Sequence, residues 1–310
     1  MKVVFMGTPD FAVGALQALL DEDYEITAVV TQPDKAKGRS GQLQPTPVKE
    51  CAEKYGIPVL QPQRIKTPQA IGELKKYQAD VYVVAAFGQI LSQEILDIPR
   101  LGCLNIHASL LPKYRGASPI QHAIIEGEQE TGITIQQMNA GLDTGDILYQ
   151  KTLPIAAEDT YESLYNKLLV LGGEAICEAL PLLEKGQLTP VKQEEALSSY
   201  APLIEKQMGK LDFALDAVTL DRLIRGVTPW PSAYTYYNGK QLKIWKAVPV
   251  ETDRVVAEAG TIAAVDKDSV TVACKTGALC ITQLQLEGKK RMQAHDFLLG
   301  VKMQAGEKLG

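Results

Sequence analysis

KVVFMGTPDFA, residues 2–12, is an apolar run that passes through a glycine and a proline into a helical pattern. Consecutive apolar positions are typical of a strand that is buried on both faces, as in a parallel sheet. The succession of strand and helix repeats along the first half of the chain. Strands are predicted at residues 2–7, 24–30, 80–86, 102–107 and 132–138, and helices at residues 11–21, 47–55, 69–77, 118–126 and 159–185. This alternation predicts an α/β domain with a doubly wound, mostly parallel sheet.

The turn after the first strand holds a single glycine, Gly7. A Rossmann-like domain that binds a dinucleotide has three spaced glycines there, and an ATP-binding P-loop has GxxxxGK[ST], which occurs nowhere in the chain. We therefore expect a Rossmann-like domain that binds neither a nicotinamide cofactor nor ATP. Ligands of such sheets bind beyond the carboxyl ends of the strands, so the candidates for chemistry are sought there.

Length and composition predict two domains in a cytoplasmic protein. The 310 residues exceed the roughly 100–200 of one domain. No apolar run approaches the roughly 18 residues of a membrane span, and the first residues lack the anatomy of a signal peptide. The five cysteines are scattered, without a C-x-x-C pair, which argues against a disulfide framework and a zinc site.

The second part of the chain predicts a smaller β domain. Residues 187–208 are polar and lose the helical period, as in a linker. Short strand-like runs follow, separated by turns such as Asn238-Gly239, and predict a small OB-like β-barrel. We therefore expect a catalytic domain at 1–188, a linker at 189–208 and a C-terminal barrel at 209–310.

Charge is distributed unevenly between the two parts. The net charge is −5, but residues 209–310 hold 14 Lys and Arg against 11 Asp and Glu, whereas the first 208 residues hold 18 against 26. The mildly basic second part favours a polyanionic partner, and chance scatter of charge on two surfaces is the alternative.

Asn105 and His107 are the first candidates for catalysis. They are two residues apart at the end of a predicted strand, so their side chains lie on the same face. An amide donates to a developing oxyanion, and an imidazole exchanges a proton near neutral pH. Asp143, in the glycine-rich turn NAGLDTG (139–145), would orient the imidazole as the third member of a triad. On spacing alone, a capping or packing role at the strand end stays open.

A basic loop at residues 34–49 is the second candidate site. Lys35, Lys37, Arg39 and Lys49 lie there among glycine, serine and proline, a composition suited to phosphate contacts. An ordinary solvated loop is the alternative.

Four motifs together resemble the signature of the 10-formyltetrahydrofolate-dependent formyltransferases: NIH (105–107), SLLP (109–112), KYRG (113–116) and LDTGD (142–146). Within that family the resemblance extends over essentially the whole chain to members that act on methionyl-tRNA. It includes the basic loop and TPWPSA (228–233).

The resemblance implies transfer of a formyl group from 10-formyltetrahydrofolate to the α-amine of methionyl-initiator-tRNA. We expect direct transfer without a metal or a covalent adduct, and a monomeric protein. Asn105, His107 and Asp143 would be catalytic. The implied folate contacts are Ser109, Leu110, Leu111, Pro112, Phe87, Gly88, Ile90, Leu91 and Asn139, and the implied tRNA contacts are Lys35, Lys37 and Arg39 together with the C-terminal barrel.

Other family members stay open as alternatives. Enzymes that formylate a glycinamide ribonucleotide are usually shorter, whereas sugar-nucleotide formyltransferases and the hydrolase domain of formyltetrahydrofolate dehydrogenase also carry a C-terminal barrel. A folate-binding or tRNA-binding module without turnover is a further alternative. The arginine-bearing loop and the basic second part favour tRNA, although the loop reads GRSGQ where lysines often follow the arginine in this family.

Overall fold

The computed structural model describes residues 1–36, 41–250 and 257–310. The chain forms two compact units, each assembled from several stretches of sequence. Unit 1 comprises Met1–Pro119, Glu130–Pro154 and Tyr165–Ala201, and unit 2 comprises Ile120–Gln129, Ile155–Leu164 and Pro202–Gly310. The predicted division at 188 and 209 stays a prediction.

Unit 1 contains the larger sheet. The strands of this unit are β1 (Lys2–Gly7), β2 (Glu25–Val30), β3 (Lys35–Ala36), β4 (Leu43–Gln44), β5 (Val59–Leu60), β6 (Val81–Ala85), β7 (Cys103–His107), β8 (Arg115–Gly116), β9 (Glu130–Gln137), β10 (Ile147–Pro154) and β11 (Tyr200–Ala201). The helices of the chain are α1 (Asp10–Asp21), α2 (Pro47–Lys54), α3 (Pro68–Leu74), α4 (Gln93–Leu96), α5 (Pro119–Glu126), α6 (Tyr161–Glu184), α7 (Ala217–Gly226) and α8 (Ala294–Gly300).

Seven strands form the sheet, in the order β10-β9-β7-β6-β1-β2-β5. The five strands from β7 to β5 are parallel, and β9 and β10 are antiparallel to their neighbours. Residues of α3 and α4 cover one face of the sheet, where Val4 and Tyr82 are buried. On the other face, Gly172 of α6 lies close to Ile106 and Ile133. Helices on both faces of a mostly parallel sheet confirm the predicted fold class.

Unit 2 contains the antiparallel sheet that the turn-rich second part predicts. The strands are β12 (Ala233–Tyr237), β13 (Lys240–Val250), β14 (Ile262–Val265), β15 (Val270–Ala273), β16 (Ala278–Leu286) and β17 (Met292–Gln293). The Asn238-Gly239 turn joins β12 to β13, with positive φ at both residues, as a two-residue hairpin requires. Leu242 and Ile244 of β13 are buried with Leu220 of α7, so alternate residues of this strand build the core.

Helix α6 begins at Tyr161, two residues after the predicted start, and its N-terminus is capped by Thr160 and Ser163. The Ser163 amide donates to Thr160 Oγ1 (3.3 Å), and the Thr160 amide donates to Ser163 Oγ (3.0 Å). Asp159 instead accepts from the Ala156 amide and the Ser163 hydroxyl.

Among the described residues, no helix combines the length and the apolar character that crossing a membrane needs.

Candidate active site

The three predicted catalytic residues come together in unit 1. Asn105 and His107 lie on β7, between β6 and β9, and Asp143 follows β9 in the loop that leads to β10. Asn105 Nδ2 donates to Asp143 Oδ1 at 3.3 Å. His107 Nδ1 is 3.7 Å from the same oxygen, and the His107 side chain is 6% exposed. One carboxylate oxygen therefore lies beside both the amide and the imidazole.

Two residues outside the predicted set also bind the Asp143 carboxylate. Gln136 Nε2 donates to Oδ1 at 2.9 Å, and the Gly116 amide donates to Oδ2 at 2.9 Å. With Asn105, the carboxylate thus accepts hydrogen bonds from three neutral donors. Donors of this kind fix the plane of the carboxylate.

The backbone near Tyr114 orients the His107 ring. His107 Nε2 lies 2.9 Å from the Tyr114 carbonyl oxygen. Because a carbonyl oxygen only accepts hydrogen bonds, Nε2 carries a hydrogen in this arrangement. Nδ1, on the side of Asp143, is then the nitrogen that is left to exchange a proton.

The turn that carries Asp143 is held by its own side chains and by close backbone packing. Asn139 Oδ1 accepts from the Gly141 amide (2.9 Å) and the Thr144 hydroxyl (2.8 Å). A Cβ on Gly145 would lie 1.8 Å from the Gln137 carbonyl oxygen, so only glycine fits there. Asp143 itself has φ +50°, in the left-handed region. Asn139, predicted to shape the folate pocket, thus has its carbonyl group engaged in building the turn.

The SLLP segment is anchored to β9 and β10. The Thr134 hydroxyl donates to the Ser109 carbonyl oxygen (2.6 Å) and accepts from the Leu111 amide (3.0 Å). The Ser109 side chain is fully buried, with its hydroxyl 2.7 Å from the Lys113 carbonyl oxygen, and Leu111 is buried too. Leu110 and Pro112 remain partly exposed, so these two side chains are the ones of this segment that a ligand can reach.

The predicted folate segment 87–91 follows β6, next to β7 in the sheet. Phe87 and Leu91 are buried in the core, and Gly88 has φ +82°. Ile90 is 66% exposed. Leu142, beside Asp143, is 56% exposed. The loops that follow β6 and β9 thus each carry an uncovered apolar side chain.

The basic loop is described only in part. Lys35 is exposed on β3, whereas the predicted tRNA contacts Lys37 and Arg39 lie outside the described residues. Lys49 Nζ is bound to Asp34 at 2.7 Å, and this hydrogen bond raises the pKa of Lys49 and lowers that of Asp34. Lys49 therefore closes the base of the loop.

The residues that support the triad were not predicted from the sequence, for different reasons. Gln136 could have been found in the sequence, because it is a polar residue in the mostly apolar strand β9, where a buried position is expected. The donor from Gly116 and the acceptor on Tyr114 are backbone groups, so the spacing of side chains in the sequence does not predict them.

Comparison with known proteins gives matches over both units. The model of the formyl transferase family matches residues 1–180, and that of the formyl transferase C-terminal domain matches residues 203–302. The methionyl-tRNA formyltransferase of Geobacter metallireducens is 49% identical over 310 residues, covering 100% of this chain and 99% of its own. That of Lachnospira eligens is 49% identical over 316 residues, covering 100% of both chains.

More distant proteins share the fold. The sugar 3N-formyl transferase WlaRD, solved with dTDP and 5-N-formyl-THF, matches with a TM-score of 0.68 and 21% identity, over 94% of this chain and 99% of its own. HypX from Aquifex aeolicus, in complex with tetrahydrofolic acid, matches with a TM-score of 0.64 and 19% identity, over 100% of this chain and 50% of its own.

Proposed function

The chain belongs to the formyl transferase family, and from that membership we propose that it transfers the formyl group of 10-formyltetrahydrofolate to the α-amine of methionyl-initiator-tRNA by direct attack. The observation that carries this proposal is the convergence of Asn105 and His107 on one oxygen of Asp143. The choice of acceptor rests on the full-length relatives at 49% identity, which are methionyl-tRNA formyltransferases.

In the proposed reaction, the amine nitrogen bonds to the formyl carbon and the carbonyl oxygen becomes an oxyanion. Asn105 donates one amide hydrogen to Asp143 and has a second for this oxyanion. The amine then loses a proton to His107 Nδ1, and Asp143 stabilises the charged ring. The proton passes to N10 of the folate as the bond between the formyl carbon and N10 breaks. The products are formylmethionyl-tRNA and tetrahydrofolate.

The binding surfaces for the two substrates follow from exposure and charge. Ile90, Leu110 and Pro112 offer apolar surface to the folate beside the triad, with Leu142 added to the predicted set. Ser109, Leu111, Phe87 and Leu91 are buried, so they form the layer that supports this surface. Lys35, Lys37 and Arg39, with the basic second part of the chain, are proposed to bind the tRNA phosphates.

A sugar-nucleotide amine is the second candidate acceptor, favoured by the likeness to WlaRD. The discriminating assay offers the protein 10-formyltetrahydrofolate with either methionyl-initiator-tRNA or a sugar-nucleotide amine, and measures which one is formylated. Formylation of the sugar alone would refute the proposed acceptor.

The catalytic roles are tested by Asn105→Ala and Asp143→Ala in the same assay. Removing one oxyanion donor typically costs about 10²–10³ in turnover, which we expect for Asn105→Ala. Loss of the carboxylate that stabilises the charged His107 ring should cost Asp143→Ala at least as much. Asn166→Ala, on the exposed side of α6, is the matched control and should keep the wild-type rate. Near-wild-type turnover of either site variant, with its thermal unfolding unchanged, would contradict the mechanism.

We also infer that the protein acts as a monomer in the cytoplasm, where charged tRNA and folate are available. Light scattering at micromolar concentration should give a mass near 33.8 kDa.

A further inference from the structure

The main chain around Asp143 is held by a side chain from a distant segment. Gln193 Nε2 donates to the carbonyl oxygens of Asp143 (2.8 Å) and Gly145 (2.7 Å). One amide group thus ties together two carbonyls of the turn, fifty residues away in sequence. Asp143 has positive φ, which non-glycine residues adopt only when their surroundings hold them there.

Arg115 fixes the orientation of the Gln193 amide. Arg115 Nε donates to Gln193 Oε1 at 2.9 Å, which leaves the NH₂ end of the amide facing the turn. The Arg115 side chain is 9% exposed, and Nη1 binds Glu195 at 2.9 Å, a contact that lowers the pKa of Glu195. The guanidinium is thereby itself held in place.

The same short segment reaches both catalytic side chains. Tyr114 accepts from His107 Nε2, and Gly116 donates to Asp143 Oδ2. Arg115, between them, acts through Gln193 on the backbone of Asp143. Residues 114–116 and Gln193 therefore hold the imidazole, the carboxylate and the main chain of the Asp143 turn relative to one another.

We propose that Gln193 is a positioning residue, which keeps the Asp143 turn at the distance from His107 that formyl transfer requires. The role of Asp143 rests on the proposed function, but the ordering of the turn by Gln193 does not. A displacement of about 1 Å at a reacting group can cost roughly 100-fold in rate. Since the hydrogen bonds described for Gln193 reach Asp143, Gly145 and Arg115 rather than Asn105 or His107, its loss should lower kcat and leave the binding of methionyl-tRNA intact.

Two substitutions separate this role from simple anchoring. Gln193→Met keeps the size of the side chain and removes all three hydrogen bonds. Gln193→Glu keeps an acceptor for Arg115 but has no hydrogen for the two carbonyls. Gln187→Met, at an exposed glutamine of the same segment, is the control. The measurements are kcat, KM for methionyl-tRNA and for 10-formyltetrahydrofolate, and hydrogen exchange of the peptide that spans 139–146.

We expect Gln193→Met and Gln193→Glu each to lower kcat by about 10- to 100-fold, with the KM for methionyl-tRNA within about twofold of wild type. Exchange of the 139–146 peptide should be about tenfold faster in both, and unchanged in the control. Wild-type kcat in Gln193→Glu would show that only the anchor to Arg115 matters, and would overturn the proposal. So would a raised KM for methionyl-tRNA at constant kcat. If hydrogen exchange of the 139–146 peptide were unchanged in both variants, the proposal for Gln193 would be overturned, whatever the substrate of the protein. If only the proposed function were wrong, the faster exchange of this peptide would still be observed.

Discussion

The Gln136 side chain, which donates a hydrogen bond to the Asp143 carboxylate, also has an effect on the stability of the fold. Gln136 is 2% exposed and donates to Asp143 Oδ1, but no described residue forms a hydrogen bond with its Oε1. An unpartnered buried carbonyl loses its hydration without compensation, at about 1–3 kcal/mol. The NH₂ group of Gln136 thus holds the proposed catalytic carboxylate, and its carbonyl oxygen destabilises the fold.

Gln136→Met separates these two effects. The substitution removes the unpartnered acceptor and one donor, so we expect the free energy of unfolding to stay constant or rise by up to about 1 kcal/mol. We expect kcat to fall roughly fivefold, the equivalent of one net hydrogen bond. Urea unfolding and steady-state rates measure the two effects, with Gln187→Met as control. A stability loss above about 2 kcal/mol would contradict the account.

At the scale of elements, the N-terminus of α7 has a well-defined cap. Asp216 Oδ1 accepts from the Thr219 amide (2.8 Å), and Oδ2 accepts from the Thr219 hydroxyl (2.7 Å). These hydrogen bonds lower the pKa of Asp216 below its ordinary 3.8. A carboxyl whose pKa is lowered by folding stabilises the folded state above its unfolded pKa and loses this effect as the pH falls through its folded pKa.

Asp216→Ala should therefore lower the free energy of unfolding by about 1 kcal/mol at pH 7, whereas Asp216→Asn should keep most of the cap. The ionised carboxylate gives the wild type a small further advantage over the asparagine variant at pH 5 and above. This advantage should shrink below pH 3.8. Chemical denaturation of the three proteins at pH 7, 5 and 3.5 measures the effect. An Ala variant as stable as wild type at pH 7 would exclude a contribution from the cap.

Buried elements could be predicted from the sequence more accurately than exposed ones. The buried strands β1 and β6 have continuous apolar runs and lie within a residue or two of their predicted bounds. Strand β10 was not predicted, because only Leu148 of its eight residues is buried and no apolar run marks it. The residues of the candidate site also differ in how well they could be predicted. Asn105, His107 and Asp143 belong to the family's sequence pattern, whereas Gln193 lies in a polar segment without periodicity. Only the folded chain shows where that segment binds.

At the scale of the whole molecule, the excess of basic residues beyond residue 208 includes an outward-facing cluster on unit 2. Along β13, Leu242 and Ile244 are buried, so the alternation turns Lys243 and Trp245 away from the core. The Arg291 guanidinium lies 4.5 Å from the Trp245 ring centre, and Lys243 Nζ lies 5.6 Å from it. Two cations beside an aromatic ring are suited to contact a phosphate backbone and its bases.

Binding of methionyl-tRNA should therefore weaken as salt increases. Each phosphate contact contributes a slope of about −0.7 to −0.9 to a plot of log affinity against log salt concentration. Replacing Lys243 and Arg291 together by glutamine should weaken binding and reduce the slope by about 1.4 to 1.8, without changing the KM for the folate. Lys75→Gln with Lys76→Gln is the matched pair, since both lysines lie on unit 1 and bind Glu94 and Glu73. If the two double variants gave the same slope, tRNA binding would owe nothing to the Trp245 cluster, and the loop at 34–49 would be left as the main source of phosphate contacts.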